Sequence, residues 1–207
     1  MDDYGENTQF IHIEENDKES DIAVPFIDPQ TKSFIECYMD SYAIIDGIKY
    51  VIGSPCDYSV ALCYFDEKTN ELQPVELEDA TLMDDVFPIA EEIVEEEFGE
   101  ELALMRTPQT LTLVGELELD DGDNDDDEED DYDDDVDDTN DEEEVEILLS
   151  FEHDGKEFHL VRLLDPVLLV AKCDDEGQTK TLLTPNESDD VMPLLEEMIL
   201  DYQEEME

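Results

Sequence analysis

Two stretches of this chain repeat one pattern of turns and apolar runs, and any fold must place both. The first is "YAIIDGIKYVIGSPCDYSVALCYFDE" from Tyr42, and the second is "FEHDGKEFHLVRLLDPVLLVAKCDDE" from Phe151. Each carries an Asp-Gly pair, Asp46-Gly47 or Asp154-Gly155, between apolar alternations. Asp57 matches Asp165, and the apolar runs behind them, "SVALCYF" and "VLLVAKC", align without a gap. Further on, "DDVFPIAEEIVEE" from Asp84 matches "DDVMPLLEEMILD" from Asp189. Self-similarity of this length marks a supersecondary unit used twice.

Each copy reads as a small antiparallel meander closed by a helix. Asp-Gly between alternating apolar residues predicts a tight hairpin, because both turn positions need positive φ. The following apolar run predicts a third strand. "DEKTN" or "DDEGQ" then turns the chain into a short fourth, "LQPVEL" or "TKTLLT". The period next changes to 3.6: Val86, Ile89, Ala90, Ile93 and Val94 in one copy, and Val191, Leu194, Leu195, Met198, Ile199 and Tyr202 in the other. Asp85 or Asp190 is the expected cap, with Pro88 or Pro193 in the first turn. The expected fold class is α+β: two duplicated small units, each an antiparallel β-meander with a C-terminal amphipathic helix.

Between the copies lies "DDGDNDDDEEDDYDDDVDDTNDEEE", residues 120 to 144, which holds almost nothing that can enter a core. In the first copy "AVPFI" precedes "DPQTK" and the chain returns as "SFIECYM". In the second, "TLTLVGELEL" precedes the acidic run and the chain returns as "VEILLSF". The run therefore takes the place of a short turn, which loop-closure entropy permits because it grows only logarithmically with length. The organisation this predicts is an acidic, disordered tail over 1–20, a first unit over 21–104, and a second unit over 105–207. Residues 120–144 form a disordered hairpin-loop insertion in the second unit, and the boundary falls near "MRTPQ".

Charge narrows the function classes. Sixty-six Asp and Glu against nine Lys and Arg give a formal net charge of -57. Binding to a phosphate backbone draws on Lys and Arg displacing counterions, so direct nucleic-acid binding is not expected. An anionic membrane surface repels the chain likewise, and "LLDPVLLVA" from Leu163 is too short and too interrupted to span a bilayer. "MDDYGENTQF" lacks the basic and apolar regions of a signal peptide and the Arg-rich character of a transit peptide. The expectation is a protein that acts where it is made or has lost a presequence. Cys37, Cys56, Cys63 and Cys173 show no CxxC spacing and read as reduced, buried thiols, with a Cys56–Cys63 disulfide as the alternative left open.

Both copies resemble the small acidic domains catalogued as domain-of-unknown-function 1292. The whole arrangement resembles the two-unit cyanobacterial and plastid proteins whose second unit is catalogued as domain-of-unknown-function 3727. The residues that carry this are "DGIKYVI", "DGKEFHL", "LTLVGELEL", "LDPVLLVAK" and the Pro-containing acidic helices, over nearly the whole chain after residue 20. The resemblance supplies no catalytic motif. It implies a cyanobacterial cytoplasm or a chloroplast stroma, and a part in assembling a photosynthetic complex such as the chloroplast-type ATP synthase.

The residues themselves offer little catalytic chemistry. An EF-hand starting at Asp121 would need Gly where Asp126 stands and Glu where Tyr132 stands, so no dedicated metal site is expected. His153 and His159 straddle a hairpin turn, with Cys173 as a conceivable third ligand, and read better as structural hairpin residues than as a zinc pair. No GxSxG, HExxH, P-loop or GxGxxG motif occurs. The reading is a non-enzymatic protein without cofactor that engages a basic or unassembled partner subunit. The expected partner-binding residues are Asp125, Asp126, Asp127, Glu128, Glu129, Asp130, Asp131, Asp133, Asp134 and Asp135 in the run, with Glu91, Glu92, Glu95, Glu196 and Glu197 on the two helices. The alternative is a nucleic-acid mimic whose ordered carboxylates occupy a basic nucleic-acid-binding surface.

Overall fold

A computed structural model of the chain describes residues 9–12, 22–66, 69, 71–99, 101–115, 145–174 and 177–206, with side chains through residue 198. The elements are β1 (Gln9–His12), β2 (Val24–Ile27), β3 (Phe34–Ile45), β4 (Ile48–Pro55), β5 (Tyr58–Phe65), β6 (Leu72–Pro74) and α1 (Ala80–Phe98). They are followed by β7 (Ala103–Arg106), β8 (Leu111–Val114), β9 (Val145–His153), β10 (Lys156–Leu163), β11 (Leu169–Cys173), β12 (Lys180–Leu182) and α2 (Pro185–Met206). The acidic run lies outside the described residues, and so does all of the stretch 1–20 except β1, which pairs with β3 instead of belonging to a structureless tail.

Both hairpins form where the Asp-Gly pairs stand. Asp46 and Gly47 have φ of 51° and 82°, and Asp154 and Gly155 have φ of 50° and 75°. Positive φ at both positions is the turn whose twist matches that of the flanking strands. Each hairpin also holds a bulge: the β3–β4 register shifts between Met39 and Ser41, and the β9–β10 register between Leu160 and Val161. An extra residue in a strand reverses which face the later side chains occupy. Cys37 accordingly points into one core and Ala43 into another, although their spacing alone would place them on the same face.

The expected meanders do not form, because the third strand of each copy crosses to the other copy's hairpin. β11 pairs with β4, and β5 pairs with β10. The two crossings share a register: Gly53 faces Leu169, while Val161 and Ala61, which stand at the matching places in the repeat, face each other. The expected α+β pair of separate units is thus overturned. The described residues are mostly β, 49% strand and 23% helix, with a five-stranded barrel and one further sheet. The barrel runs β3-β2-β12-β11-β4 and closes by the β3–β4 pairing, with β1 added on β3. The other sheet runs β7-β8-β5-β10-β9, with β6 on the free part of β5. Among the described residues β8 and β9, which flank the acidic run, lie apart in that sheet, separated by β5 and β10.

The physical reason is that β4 and β10 are buried on both faces. Tyr50, Val51, Ile52 and Gly53 are buried in succession, as are Phe158, His159, Leu160 and Val161. Such strands must lie inside a sheet with a layer on each side. Inside the barrel pack Phe26, Ile35, Val51, Leu169, Ala171 and Leu182. Gly53 is required there, since a Cβ would run into the Tyr38 carbonyl and the Phe26 ring. The outer side of the barrel packs Ala43, Tyr50, Ile52 and Val170 under Val191, Leu195 and Met198 of α2. α1 covers one face of the other sheet with Met83, Val86, Ala90 and Val94, and burying each larger side chain stabilises by roughly 1.5–3 kcal/mol.

Helix starts also differ from the expected ones. Asp79 caps α1, its carboxylate accepting from Leu82 N–H at 3.1 Å. α2 begins at Pro185 behind Thr184, whose N–H and hydroxyl both donate to Glu187 at 3.0 and 2.8 Å. This Thr-x-x-Glu arrangement supplies the carboxylate half of a capping box, with Pro in the first helical position. Asp85, Asp190, Pro88 and Pro193 therefore fall inside the helices, past the observed starts, and not at the cap and first-turn positions expected for them.

The stretch around "MRTPQ" joins the two bodies. Met105 packs with the barrel core, and Gln109 reaches the end of β12. Its Nε2 donates to the carbonyls of Val170 at 2.7 Å and Leu183 at 3.2 Å, and its Oε1 accepts from Val170 N–H at 2.8 Å. A side-chain amide here completes the edge of β11 just where β12 ends.

Candidate functional site

The helices turn their acids outward for the reason that they bury an apolar stripe. In α1 the buried residues Met83, Val86, Ala90 and Val94 recur at steps of three and four, which leaves Glu91, Glu92 and Glu95 exposed on the opposite side. In α2 the stripe Val191, Leu195 and Met198 leaves Glu196 and Glu197 exposed. None of these five carboxylates makes an ion pair among the described residues, where the pairs formed are Arg106–Asp84, Arg162–Glu146 and His153–Asp154. The helices cover different sheets, so the acids form one face on each. The other expected site residues, Asp125 to Asp135, lie outside the described residues.

A cleft of about 600 Å³ opens beside the acidic face of α1. Glu91, Asp84 and Phe87 of α1 form one wall, with the β2–β3 turn and the end of β7 across from them. Leu77, Ala80, Leu104, Met105 and Pro108 give it apolar surface. Its one basic residue is already engaged: Arg106 donates to Asp84 at 2.6 Å and to the Leu77 carbonyl at 3.0 Å, which ties β7 to α1. Asp28, only 4% exposed, is engaged too, accepting from the backbone N–H groups of Gln30 at 2.6 Å and Thr31 at 3.1 Å. That leaves Glu91 as the cleft's unpaired carboxylate, a geometry suited to an incoming Lys or Arg whose aliphatic stem needs an apolar wall.

The two hairpin histidines are not brought together. His153 pairs across the sheet with Lys156 and His159 with Ser150. Three residues of offset on alternating strands puts the two rings on opposite faces. His159 is 5% exposed, its Nδ1 2.8 Å from Ser150 Oγ and its ring edge-on to Phe65 at 5.2 Å. Cys173 is on the barrel, away from both. Among the described residues no three His, Cys, Asp or Glu side chains are grouped to hold a metal ion, and no helix is long and apolar enough to cross a membrane.

Cys37, Cys63 and Cys173 are buried as expected, but Cys56 is exposed, in the short link between β4 and β5, and no disulfide joins the four. Burial pushes the Cys37 thiol up to about 12, with Cys56, Asp40 and Asp57 adding to the effect. The cleft beside α1 was not legible in the sequence, because its walls come from three separated segments. A usable hint was Arg106, one of two arginines in a chain with so few basic residues.

No curated protein and no solved structure matches the chain. Residues 101–202, just under half of it and running from β7 into α2, match the family model described as "Protein of unknown function (DUF3727)".

Proposed function

We propose that the protein is a non-enzymatic, acidic binding and assembly factor that engages a basic or unassembled protein subunit. The observation that carries this reading is Glu91: an unpaired carboxylate on a rigid, exposed acidic helix face, at the wall of a cleft that also offers apolar surface. Glu92 and Glu95 beside it, and the remainder of a formal net charge of -57, steer basic partners over roughly 8 Å at physiological ionic strength. Apolar contact in the cleft would then supply the specificity that long-range charge lacks.

The resemblance of the first half to domain-of-unknown-function 1292, and of the whole to cyanobacterial and plastid proteins, extends the reading to a photosynthetic complex. The subunits of a chloroplast-type ATP synthase are the partners it favours, with the stroma or the cyanobacterial cytoplasm as the setting. Nucleic-acid mimicry is the competing reading, and it draws on the same feature, since the helix carboxylates sit on an ordered element.

Affinity capture with the full chain and with a Glu91→Gln, Glu92→Gln, Glu95→Gln variant, at low and moderate salt, tests this. A basic subunit of a larger complex should be retained by the native chain, released by salt and weakened in the variant. Retention of nucleic-acid-binding enzymes supports mimicry instead, and failure to retain any basic protein at low salt overturns the proposal.

A further inference from the structure

One end of the barrel gathers two basic side chains in a strongly acidic chain. A cavity of about 300 Å³ opens there, between the β3–β4 turn and the β11–β12 turn, and each of the five barrel strands contributes to its wall. Register explains how. Tyr42 faces Val51 across β3 and β4, and Lys49 stands two residues before Val51, so all three side chains turn inward. Cys173 faces Lys180 across β11 and β12, and Cys173 belongs to the interior cluster, so Lys180 turns inward too. Val24 of β2 and Met39 of β3 complete an apolar floor.

Among the described residues the lining contains two of the chain's nine basic residues and no acidic one. With 66 acidic residues among 207, a random lining of nine would hold about three. Lys49 Nζ lies 3.9 Å from the centroid of the Tyr42 ring, a cation–π contact that positions the ammonium without neutralising it. Neither Lys49 nor Lys180 makes an ion pair among the described residues. Cys173 does not neutralise them: burial raises its thiol above the ordinary range, against the opposing pull of Lys180 and Lys49. Two cations, an aromatic ring and an apolar floor remain at the mouth of a β-barrel, a place where small ligands are commonly held.

We propose that this mouth is a binding site for a small organic carboxylate, its anionic group shared by Lys49 and Lys180 and its apolar body lying on Val24, Met39 and Val51. Lys suits the role as a compact, mobile charge that does not demand a planar partner. The site lies on the barrel, apart from the α1 cleft, and stands or falls independently of partner capture.

Benzoate, benzyl alcohol and benzylamine form a series of equal shape and different charge. In the full chain with 13C-labelled methionine methyls, benzoate should shift the Met39 resonance saturably. Benzyl alcohol and benzylamine should bind at least about tenfold more weakly, the worth of one charge-assisted hydrogen bond. A Lys49→Gln, Lys180→Gln variant should lose a similar factor for benzoate at an unchanged urea midpoint. Equal affinity for benzoate and benzyl alcohol, or no saturable shift at Met39, overturns the proposal in the native protein alone, whether or not the variant folds. Full benzoate affinity in a folded variant overturns it equally.

Discussion

Gln109 offers the sharpest test of how the barrel and the second sheet hold together. Its side chain replaces a backbone amide at the edge of β11, satisfying the Val170 N–H and the carbonyls of Val170 and Leu183. Val170 is 2% exposed and Leu183 1%, so water has little access to the groups it serves. Gln109→Met keeps the length of the side chain and removes its polarity. The Val170 N–H is then buried without a partner, which costs about 1–3 kcal/mol, and lost contacts at the two carbonyls add about 0.5–1.5 kcal/mol. A total of about 1.5–4.5 kcal/mol lowers Tm by roughly 3–18 °C in a protein of this size.

Gln109→Glu separates hydrogen bonding from packing. It keeps an acceptor for Val170 N–H but turns a second carboxylate oxygen toward two carbonyls that the native amide approaches at 2.7 and 3.2 Å. Repulsion and burial raise the folded-state pKa of that carboxyl above its unfolded value of about 4.3. The cost is therefore absent below the unfolded value, grows as pH rises through the window up to the folded value, and is complete above it. Urea unfolding by circular dichroism, with each variant referred to the native chain at the same pH, cancels the titration of the other acids. The penalty of the Glu variant should shrink as pH falls from 7 towards 5, while that of the Met variant stays constant. A Met variant within about 0.5 kcal/mol of native stability, the range of a bland surface change, would refute the reasoning, as would parallel pH curves for the two.

Two further outcomes follow from the cysteines and the α2 cap. At pH 8 a thiol reagent should find one fast equivalent, Cys56, and four after unfolding, because Cys37, Cys63 and Cys173 are buried; a Cys56→Ser chain that still reacts rapidly would contradict this. Glu187 has its pKa lowered by the N–H and hydroxyl of Thr184, so its contribution is present above the ordinary value of 4.5 and lost as pH falls through the lowered folded value. Glu187→Ala should cost about 0.5 kcal/mol at pH 7, low in the capping range because the residue is exposed, and progressively less as pH falls below 4.5; a constant difference across pH would remove the carboxylate from the cap.

Local signals were legible in the sequence, and pairing partners were not. The Asp-Gly turns, the apolar third strands, the short β6 and β12 and the two amphipathic helices all occur where the pattern puts them, since each is fixed by a few neighbouring residues. Which edge β5 and β11 would join was undetermined, because a repeat presents two nearly equivalent hairpins and periodicity does not distinguish them. The buried succession Tyr50 to Gly53 was the available clue: a strand apolar on both faces cannot be the bare edge of a small meander. The caps were misplaced because Thr184 was read as the end of the fourth strand and Asp190 as the cap, although Thr184 and Glu187 already tie the helix start together. Of the candidate site, the outward acids on the helices followed from the stripe opposite them. The α1 cleft and the barrel mouth required tertiary contacts that join residues far apart in sequence.

The crossing makes a strong claim about how the chain can be divided. Residues 21–104 alone would keep the β3–β4 hairpin but lack β11 and β12, and would keep β5 but lack β10 and β8. They would forfeit Leu169, Val170, Leu182 and Leu183 from the barrel and Val191, Leu195 and Met198 from its cover. At roughly 1.5–3 kcal/mol for each large apolar side chain, the loss is about 10–20 kcal/mol, as large as the entire net stability of an ordinary domain. That fragment should not fold as a monomer, and residues 105–207 should not either, for the reciprocal reason. Mixed together, the two should recover native-like circular dichroism and cooperative unfolding, because each supplies the strands the other needs. A folded, monomeric 21–104 fragment would show that the exchange of β5 and β11 is dispensable, and would return the chain to two independent units.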